Sequence, residues 1–458
     1  MTSGRLHQQP PEQMKGYRDM KRWKKSLSCL LLSGILLTAG CGTGKESTEG
    51  TDSGTFDPNS PAASQKTQVI QQLIRDKYFG DLDKSEQEEA YYDGLIKGLG
   101  DRYATYYTPE EFAQDQEDDS GEYVGIGATV SQDDNGTVYV VEPMEGSPAE
   151  EAGLMGDDAF VEIDGVQLTS DMSLEEVVKM IRGSEATSAH LKIYRQGEKD
   201  YLEFDIPRRK IVNITAKCEM LENGVGYIKV SSFIANTADQ FKECVDSVIS
   251  QGARAIVFDF RNNLGGLTDI ANAMVDYIVP DNTVAEGGDP SKPGLLLEMK
   301  DKNGKILYSD YTKDGHEVLL PMAILMNDYS ASSSEIFIGA LRDYGKAILV
   351  GDKTFGKGIV QQTFPLTDGS AVKLTIAKYY LPGGSNIHET GIEPDYAVEL
   401  PIEKLRILNK LPHNEDPQLA KALEALGMDP LPEPETEAAS TESTESVDAG
   451  GSTESTEE

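Results

Sequence analysis

The sequence predicts an α/β protein on three observations: short apolar runs that end in glycine- or serine-rich loops, a preceding strand-rich stretch with a capped helix and a second helix, and helix-periodic segments towards either end. The runs are Ala253 to Phe260, Leu320 to Met326 and Ala347 to Val350, each bounded by polar loops as a buried strand is. A chain of 458 residues, 38% hydrophobic and 26% charged, can bury ordinary cores. Its length predicts roughly two to four domains. The formal net charge of -36 repels phosphate backbones, which argues against a nucleic-acid partner.

At the N-terminus, residues 1–25 carry seven Lys and Arg against two acids, and Leu27 to Ala39 is apolar apart from small Ser and Thr. That run falls short of the ~20 residues a membrane-spanning helix needs, so 1–40 reads as a cleaved signal peptide. It closes on Leu37-Thr38-Ala39-Gly40-Cys41, which resembles a bacterial lipobox. The resemblance implies lipidation at Cys41, export, and anchoring on the extracytoplasmic face of the cell membrane. None of the four cysteines forms a C-x-x-C pair, so structural zinc is not predicted, and whether Cys218 and Cys244 pair stays open. Residues 41–64, rich in Gly, Ser, Thr and acids, read as a flexible tether. Residues 433–458 hold nine acids and no base and read as a disordered acidic tail. Val69 with Leu73, and Tyr91 with Leu95 and Leu99, give 65–118 a helical period. Gln418 to Leu426 predicts a helix within a C-terminal helical segment, 403–432.

In 119–208 the order is a Gly125-Ile126-Gly127 loop, a strand from Val138 to Val141, and a helix opened by the capping sequence Ser147-Pro148-Ala149-Glu150 and stopped by Gly153. A strand from Phe160 to Ile163, a helix from Ser173 to Ile181 and a strand from His190 to Tyr194 follow. This order resembles a PDZ domain. The resemblance implies that Gly125, Ile126 and Gly127 offer backbone N–H groups to a peptide's terminal carboxylate, while the next strand pairs with the peptide.

In 209–402, Asn263-Leu264-Gly265-Gly266 follows the first apolar run, and Ser330-Ala331-Ser332-Ser333-Ser334-Glu335 follows the second and opens a helix from Ile336. A hydroxyl there faces the positive end of the helix dipole. The third run leads into Thr354-Phe355-Gly356-Lys357-Gly358. Such loops can assemble a serine nucleophile, a base and an oxyanion hole. Of the five histidines only His388 sits in a glycine-flanked loop near these strands. Lys357 is the other candidate base, since burial lowers a lysine pKa from ~10.4 towards neutrality. Gln361, four residues on, falls on the same face of a strand, where its amide could hold the amine.

These motifs, with Tyr379-Tyr380-Leu381-Pro382-Gly383-Gly384, resemble the C-terminal processing (tail-specific) serine peptidases over about 65–427. The resemblance implies a crotonase/ClpP-like protease core at 209–402 with a PDZ domain inserted ahead of it. It assigns the nucleophile to Ser332, the general base to Lys357 and the assisting amide to Gln361. The oxyanion donors would be the Ser333 N–H and one of Gly265 and Gly266. It further implies an endopeptidase that processes exported proteins near their free C-termini, a homodimer through terminal helices, and no metal or nucleotide cofactor. Leu264 and Ser333 stand where the family usually has Pro and Ala; neither alters a catalytic group. A P-loop at Gly351 to Lys357 fails because Gly358 stands where Ser or Thr is needed and a strand pattern follows. Ser370 and Lys373 form a Ser-x-x-Lys pair without companion motifs. The alternative is a non-catalytic PDZ-containing surface protein that binds peptides.

Overall fold

The structure, a computed structural model, describes residues 57–432. The signal peptide, Cys41, most of the tether and the acidic tail lie outside the described residues. The chain divides into two units at Asp81. In the first, helix α1 (Pro61–Lys77) starts four residues before the expected boundary at 65. Ser60 caps it by accepting the Ala63 N–H, and Pro61 takes the first helical turn, where its missing donor costs nothing. No residue of α1 is buried.

The second unit begins with α2 (Lys84–Lys97), β1 (Thr105–Tyr107) and α3 (Pro109–Ser120). The strand corrects the expectation that 65–118 is wholly helical. Its β-branched and aromatic residues suit a pleated surface, Tyr106 is buried, and Thr105 to Tyr107 pair antiparallel with Lys373 to Ala371. Thr108 and Glu111 then form a reciprocal capping box that opens α3.

The PDZ-like module follows: β2 (Glu122–Gly125), β3 (Ala128–Gln132), β4 (Val138–Pro143), α4 (Pro148–Ala152), β5 (Ala159–Ile163), β6 (Val166–Gln167), α5 (Leu174–Ile181), β7 (Ser188–Tyr194), β8 (Leu202–Pro207) and β9 (Arg209–Val212). One antiparallel sheet runs β3-β4-β5-β7-β8. Strands β2 and β9 form a separate ribbon where the chain enters and leaves the module. Its core packs Ile126, Val140, Ile163, Val177, Leu191 and Ile193. Ser147 caps α4 as expected, but Glu150 accepts from the Gly146 N–H rather than from Ser147.

The remaining elements are β10 (Ala216–Met220), β11 (Val225–Val230), α6 (Thr237–Ser250), β12 (Ala255–Asp259), α7 (Thr268–Ile278), β13 (Leu295–Lys300), β14 (Ile306–Tyr311), β15 (Met322–Met326), α8 (Ser333–Asp343), β16 (Ala347–Gly351), β17 (Ile359–Pro365), β18 (Ala371–Tyr380), β19 (Tyr396–Ala397), α9 (Ile402–Arg406) and α10 (Pro417–Ala425). The central sheet runs β10-β11-β12-β15-β16-β19, parallel from β11 onward. Every residue of β12 and β15 is buried, as a strand covered on both faces must be. Residues of α6, α7 and α8 pack with Ile256, Phe258 and Ile324 of the sheet. Leu419, Ala422 and Leu423 of α10 pack with Val257, Ala323 and Leu325, which alternate with them in sequence. A second sheet runs β1-β18-β13-β14, with β17 also on β18. Cys218 on β10 and Cys244 on α6 are free thiols.

Two further features fix the sheet. The Arg261 guanidinium, at the end of β12, donates to both oxygens of Asp259 and pairs with Asp416 at the start of α10 at 2.7 Å. All three are almost fully buried, so the C-terminal helix is tied under the strand that carries the first loop. The three predicted apolar runs are the adjacent parallel strands β12, β15 and β16. Their carboxyl-terminal loops therefore meet at one edge, where open α/β sheets place their sites. Gly351 to Lys357 is followed by β17 and not by a helix, so it does not form a P-loop.

Candidate active site

Ser332 sits between the end of β15 and the first residue of α8, with φ +57° and ψ -116°. A non-glycine residue there is strained, and a strained strand-to-helix turn raises a serine hydroxyl clear of its neighbours. The turn is pinned from several sides. Ser330 Oγ donates to the Phe260 carbonyl and accepts from the Asn327 N–H, while the Ala331 N–H and Ser334 Oγ both donate to the Asn263 carbonyl. Buried Tyr379 contributes its hydroxyl, 3.4 Å from the Ser332 carbonyl.

Glu335 joins this turn to the loop that carries Lys357. Its carboxylate is fully buried and accepts four hydrogen bonds: Oε1 from Thr354 Oγ1 (2.6 Å) and the Gly356 N–H (2.7 Å), Oε2 from the Lys357 N–H (2.8 Å) and the Ser332 N–H (2.9 Å). One oxygen thus bridges the backbones of the candidate nucleophile and the candidate base. Burial pushes the Glu335 carboxyl above its ordinary range, against those four donors. The Lys357 amine is held below the ordinary lysine range, first by burial and then by the charge of Lys373, with Glu335 acting in the opposite sense. Among the described residues that amine makes no hydrogen bond, and its Nζ lies 4.8 Å from the centre of the Tyr103 ring. Lys373 is itself bonded to the Tyr107 hydroxyl at 2.7 Å and to Asp115 at 3.3 Å.

Gln361 is placed differently from the expectation. Its amide donates to Thr375 Oγ1 at 3.1 Å and not to Lys357. A register shift between Val360 and Gln361 puts Gln361 opposite Thr375, where regular pairing would give it Ile376. His388 packs its backbone against Gly358, donates its N–H to Asn386, and has a buried Nδ1 with no partner among the described residues.

The Gly265-Gly266 loop faces the Ser332 turn, with φ +99° and +146°, angles that an L side chain rarely adopts. A Cβ on Gly265 would come within 2.8 Å of the Ser332 Cβ and 2.9 Å of the Ser333 nitrogen. The two glycines are not equivalent. The Gly265 N–H is committed to Asn263 Oδ1, whereas Gly266 sits in a bridge to Phe233 carried by the Gly265 carbonyl and the Leu267 N–H, which leaves its own N–H out. Ser333 opens α8, so its N–H has no partner inside the helix. Among the described residues, the Gly266 and Ser333 amides are thus donors left available beside Ser332.

In the PDZ-like module, Gly125, Ile126 and Gly127 line a cleft of about 200 Å³ between edge strand β3 (Ala128, Val130) and α5 (Val178, Ile181). Arg182 at its rim pairs with Glu117 at 2.7 Å and lies over the Tyr123 ring. Sequence reasoning missed Glu335, Thr354, Asn263 and Tyr103 as site residues. Glu335 had a signal, lying three residues past a serine at a helix start, and Asn263 and Thr354 stood within the motifs that carry the family resemblance; Tyr103 had none. Elsewhere Asp276, Asp281 and Asp314 bring ligand atoms within 4.8 Å of one another, but Asp276 already accepts the Lys313 N–H and none borders the Ser332 loops. No helix among the described residues is long and apolar enough to cross a membrane.

Two family descriptions match the chain: peptidase family S41 over residues 224–398 and the PDZ domain over 139–195. A Staphylococcus haemolyticus protein named "Probable CtpA-like serine protease" is 37% identical over 339 residues, 73% of this chain and 65% of that protein. A Staphylococcus aureus protein of the same name is 35% identical over 349 residues, 76% of this chain and 67% of that protein. The matched region thus spans about two thirds of the length of these relatives. Among solved structures, a photosystem II D1 C-terminal processing protease superposes with a TM-score of 0.43 at 25% identity, over 73% of this chain and 87% of that one.

Proposed function

Since the chain belongs to peptidase family S41, beside the CtpA-like serine proteases, we propose that it is an endopeptidase that hydrolyses peptide bonds through a Ser332–Lys357 dyad. The observation that carries this reading is the Glu335 oxygen shared by the Ser332 and Lys357 backbones. In the proposed cycle, neutral Lys357 takes the Ser332 hydroxyl proton as the oxygen attacks a peptide carbonyl. The Gly266 and Ser333 amides receive the developing oxyanion, and Lys357 returns the proton to the leaving amine. Water then releases the acyl group by the same path in reverse roles.

The PDZ-like cleft selects substrates with free C-termini, which is supported by its position between an edge strand and a helix and by the adjacent Arg182. The basic and apolar leader before Cys41 supports export and lipid anchoring on the extracytoplasmic face. Association with a second copy is supported by the exposed apolar side chains Val69, Ile70 and Leu73 on α1.

The test is cleavage of a peptide with an apolar free C-terminus by wild type, Ser332→Ala, Lys357→Ala and Lys357→Arg. Arginine keeps the charge but cannot give up its proton near neutral pH, so all three variants should be inactive. Full cleavage by Lys357→Arg refutes the lysine base. Absence of cleavage by wild type on such peptides, with binding retained, supports a peptide-binding protein instead.

A further inference from the structure

The turn between α2 and β1 reaches the Lys357 loop. Tyr103 presents its ring to the Lys357 amine at 4.8 Å, and Arg102 lies 4.7 Å from the same ring while its guanidinium also lies 5.5 Å from the Phe355 ring, two residues before Lys357. Arg102 donates to the Tyr103 hydroxyl as well. The turn is itself fixed. Asp101 accepts the Tyr103 N–H at 2.9 Å through its side chain and the Ala104 N–H through its carbonyl, and the next residue, Thr105, is already paired with Lys373 in the sheet. Tyr103 is therefore held over the base by the fold and not by a freely moving side chain alone.

An aromatic face attracts an ammonium ion and has no comparable attraction for a neutral amine. Attack by Ser332 needs the reverse, a neutral amine turned to the hydroxyl. The charged groups facing Lys357 are Lys373 from β18, Glu335 from α8, and Arg102 and Asp101 from the turn. None of them hydrogen bonds the amine, which leaves the ring as its one direct partner among the described residues.

We propose that Tyr103 is a positioning residue of the base: its ring is the resting seat of the Lys357 ammonium, and Lys357 acts on Ser332 only after the amine has lost its proton and left the ring. This rests on Lys357 being the base, as proposed above. The seat opposes deprotonation, so removing it should make the base available at lower pH. A residue that merely packed against the loop could change the rate but would leave the pH dependence where it was.

The test is kcat/KM against pH for peptide cleavage by the full chain, comparing wild type, Tyr103→Phe and Tyr103→Leu, with Lys357→Ala alongside. On the acid side of the profile, loss of the ring in Tyr103→Leu should raise the rate relative to its own alkaline plateau by roughly twofold to thirtyfold, the range a cation–ring contact is worth. Tyr103→Phe keeps the ring and should keep the wild-type acid limb. Phenylalanine with one to four ring fluorines in place of Tyr103 preserves shape while draining the ring's negative face, so the limb should move to lower pH stepwise even if the leucine variant folds poorly. An acid limb that stays fixed across the fluorinated series overturns the seat. If Lys357→Ala cleaves as fast as wild type, Lys357 is not the base and both proposals fall; if it is inactive and the limb is fixed, only the seat does.

Discussion

Replacing Glu335 by Gln changes one atom and tests the junction between the two loops. The carboxylate is fully buried and its four acceptor positions are all used, two on each oxygen. If the new NH2 takes the Oε2 position it confronts the Ser332 and Lys357 N–H groups. At the Oε1 position it confronts the Gly356 N–H, while Thr354 Oγ1, which accepts from the Ile392 N–H at 2.7 Å, can turn to accept a second bond. The cheaper arrangement still leaves one buried N–H facing a donor, which costs about 1–3 kcal/mol. For the second unit, described over residues 82–432, that lowers the melting temperature by roughly 1–4 °C. The kinetic effect should be larger in kcat than in KM, because the bond that is lost sets the spacing of Ser332 and Lys357 and not the binding of a peptide. A misplacement on the order of 1 Å costs about 100-fold. Steady-state cleavage by Glu335→Gln beside thermal melting gives both numbers, with Thr354→Val as the comparison that removes one donor and keeps the charge. Wild-type kcat together with a wild-type melting temperature in Glu335→Gln would refute the reasoning.

Lys373→Met removes the like charge that, after burial, most depresses the Lys357 amine, so the acid limb of kcat/KM should move to higher pH; a limb that moves down or stays shows that Lys373 does not tune the base. Arg261→Met strands the buried Asp259 and Asp416 carboxylates and should cost about 3–5 kcal/mol in urea unfolding, whereas a loss below about 1 kcal/mol would mean the pair is not what ties α10 to the sheet. A peptide with an amidated C-terminus loses the charge that the PDZ-like cleft and Arg182 would recognise, and its KM should rise with kcat less affected. Equal KM for the acid and the amide shows that the cleft does not read the terminus. Changing the peptide is the cleaner perturbation, since a Cβ on Gly127 would lie 2.4 Å from the Ser147 Cβ and disturb the module itself.

The strand-turn-helix around Ser332 was legible because each part leaves a local mark: an apolar run, small residues, then a helical period. The capped helix at Ser147 and the helix that starts at Ser173 were legible for the same reason. Strand β1 was not, since three residues inside a helix-rich segment carry no period and owe their conformation to β18, far along the chain. Gln361 followed from a period of two, but β17 begins only at Ile359, so Lys357 lies outside the strand whose alternation that expectation needs. Glu335 reads locally as a helix cap, and only the folded chain reveals that its second set of partners lies on the Lys357 loop. The inequality of Gly265 and Gly266 likewise depends on the Asn263 side chain and on a bridge to Phe233, neither of which spacing can express. Tyr103 reaches Lys357 across more than half of the described residues, with no motif to announce it.

The most direct test of the central claim is the intact mass of the protein trapped during turnover of a slowly deacylating ester substrate, followed by mapping of the modified peptide. The account predicts a single acyl adduct on Ser332, formed by wild type and absent from Ser332→Ala and Lys357→Ala. Turnover with the adduct on another residue, or undiminished turnover in Ser332→Ala, would contradict it.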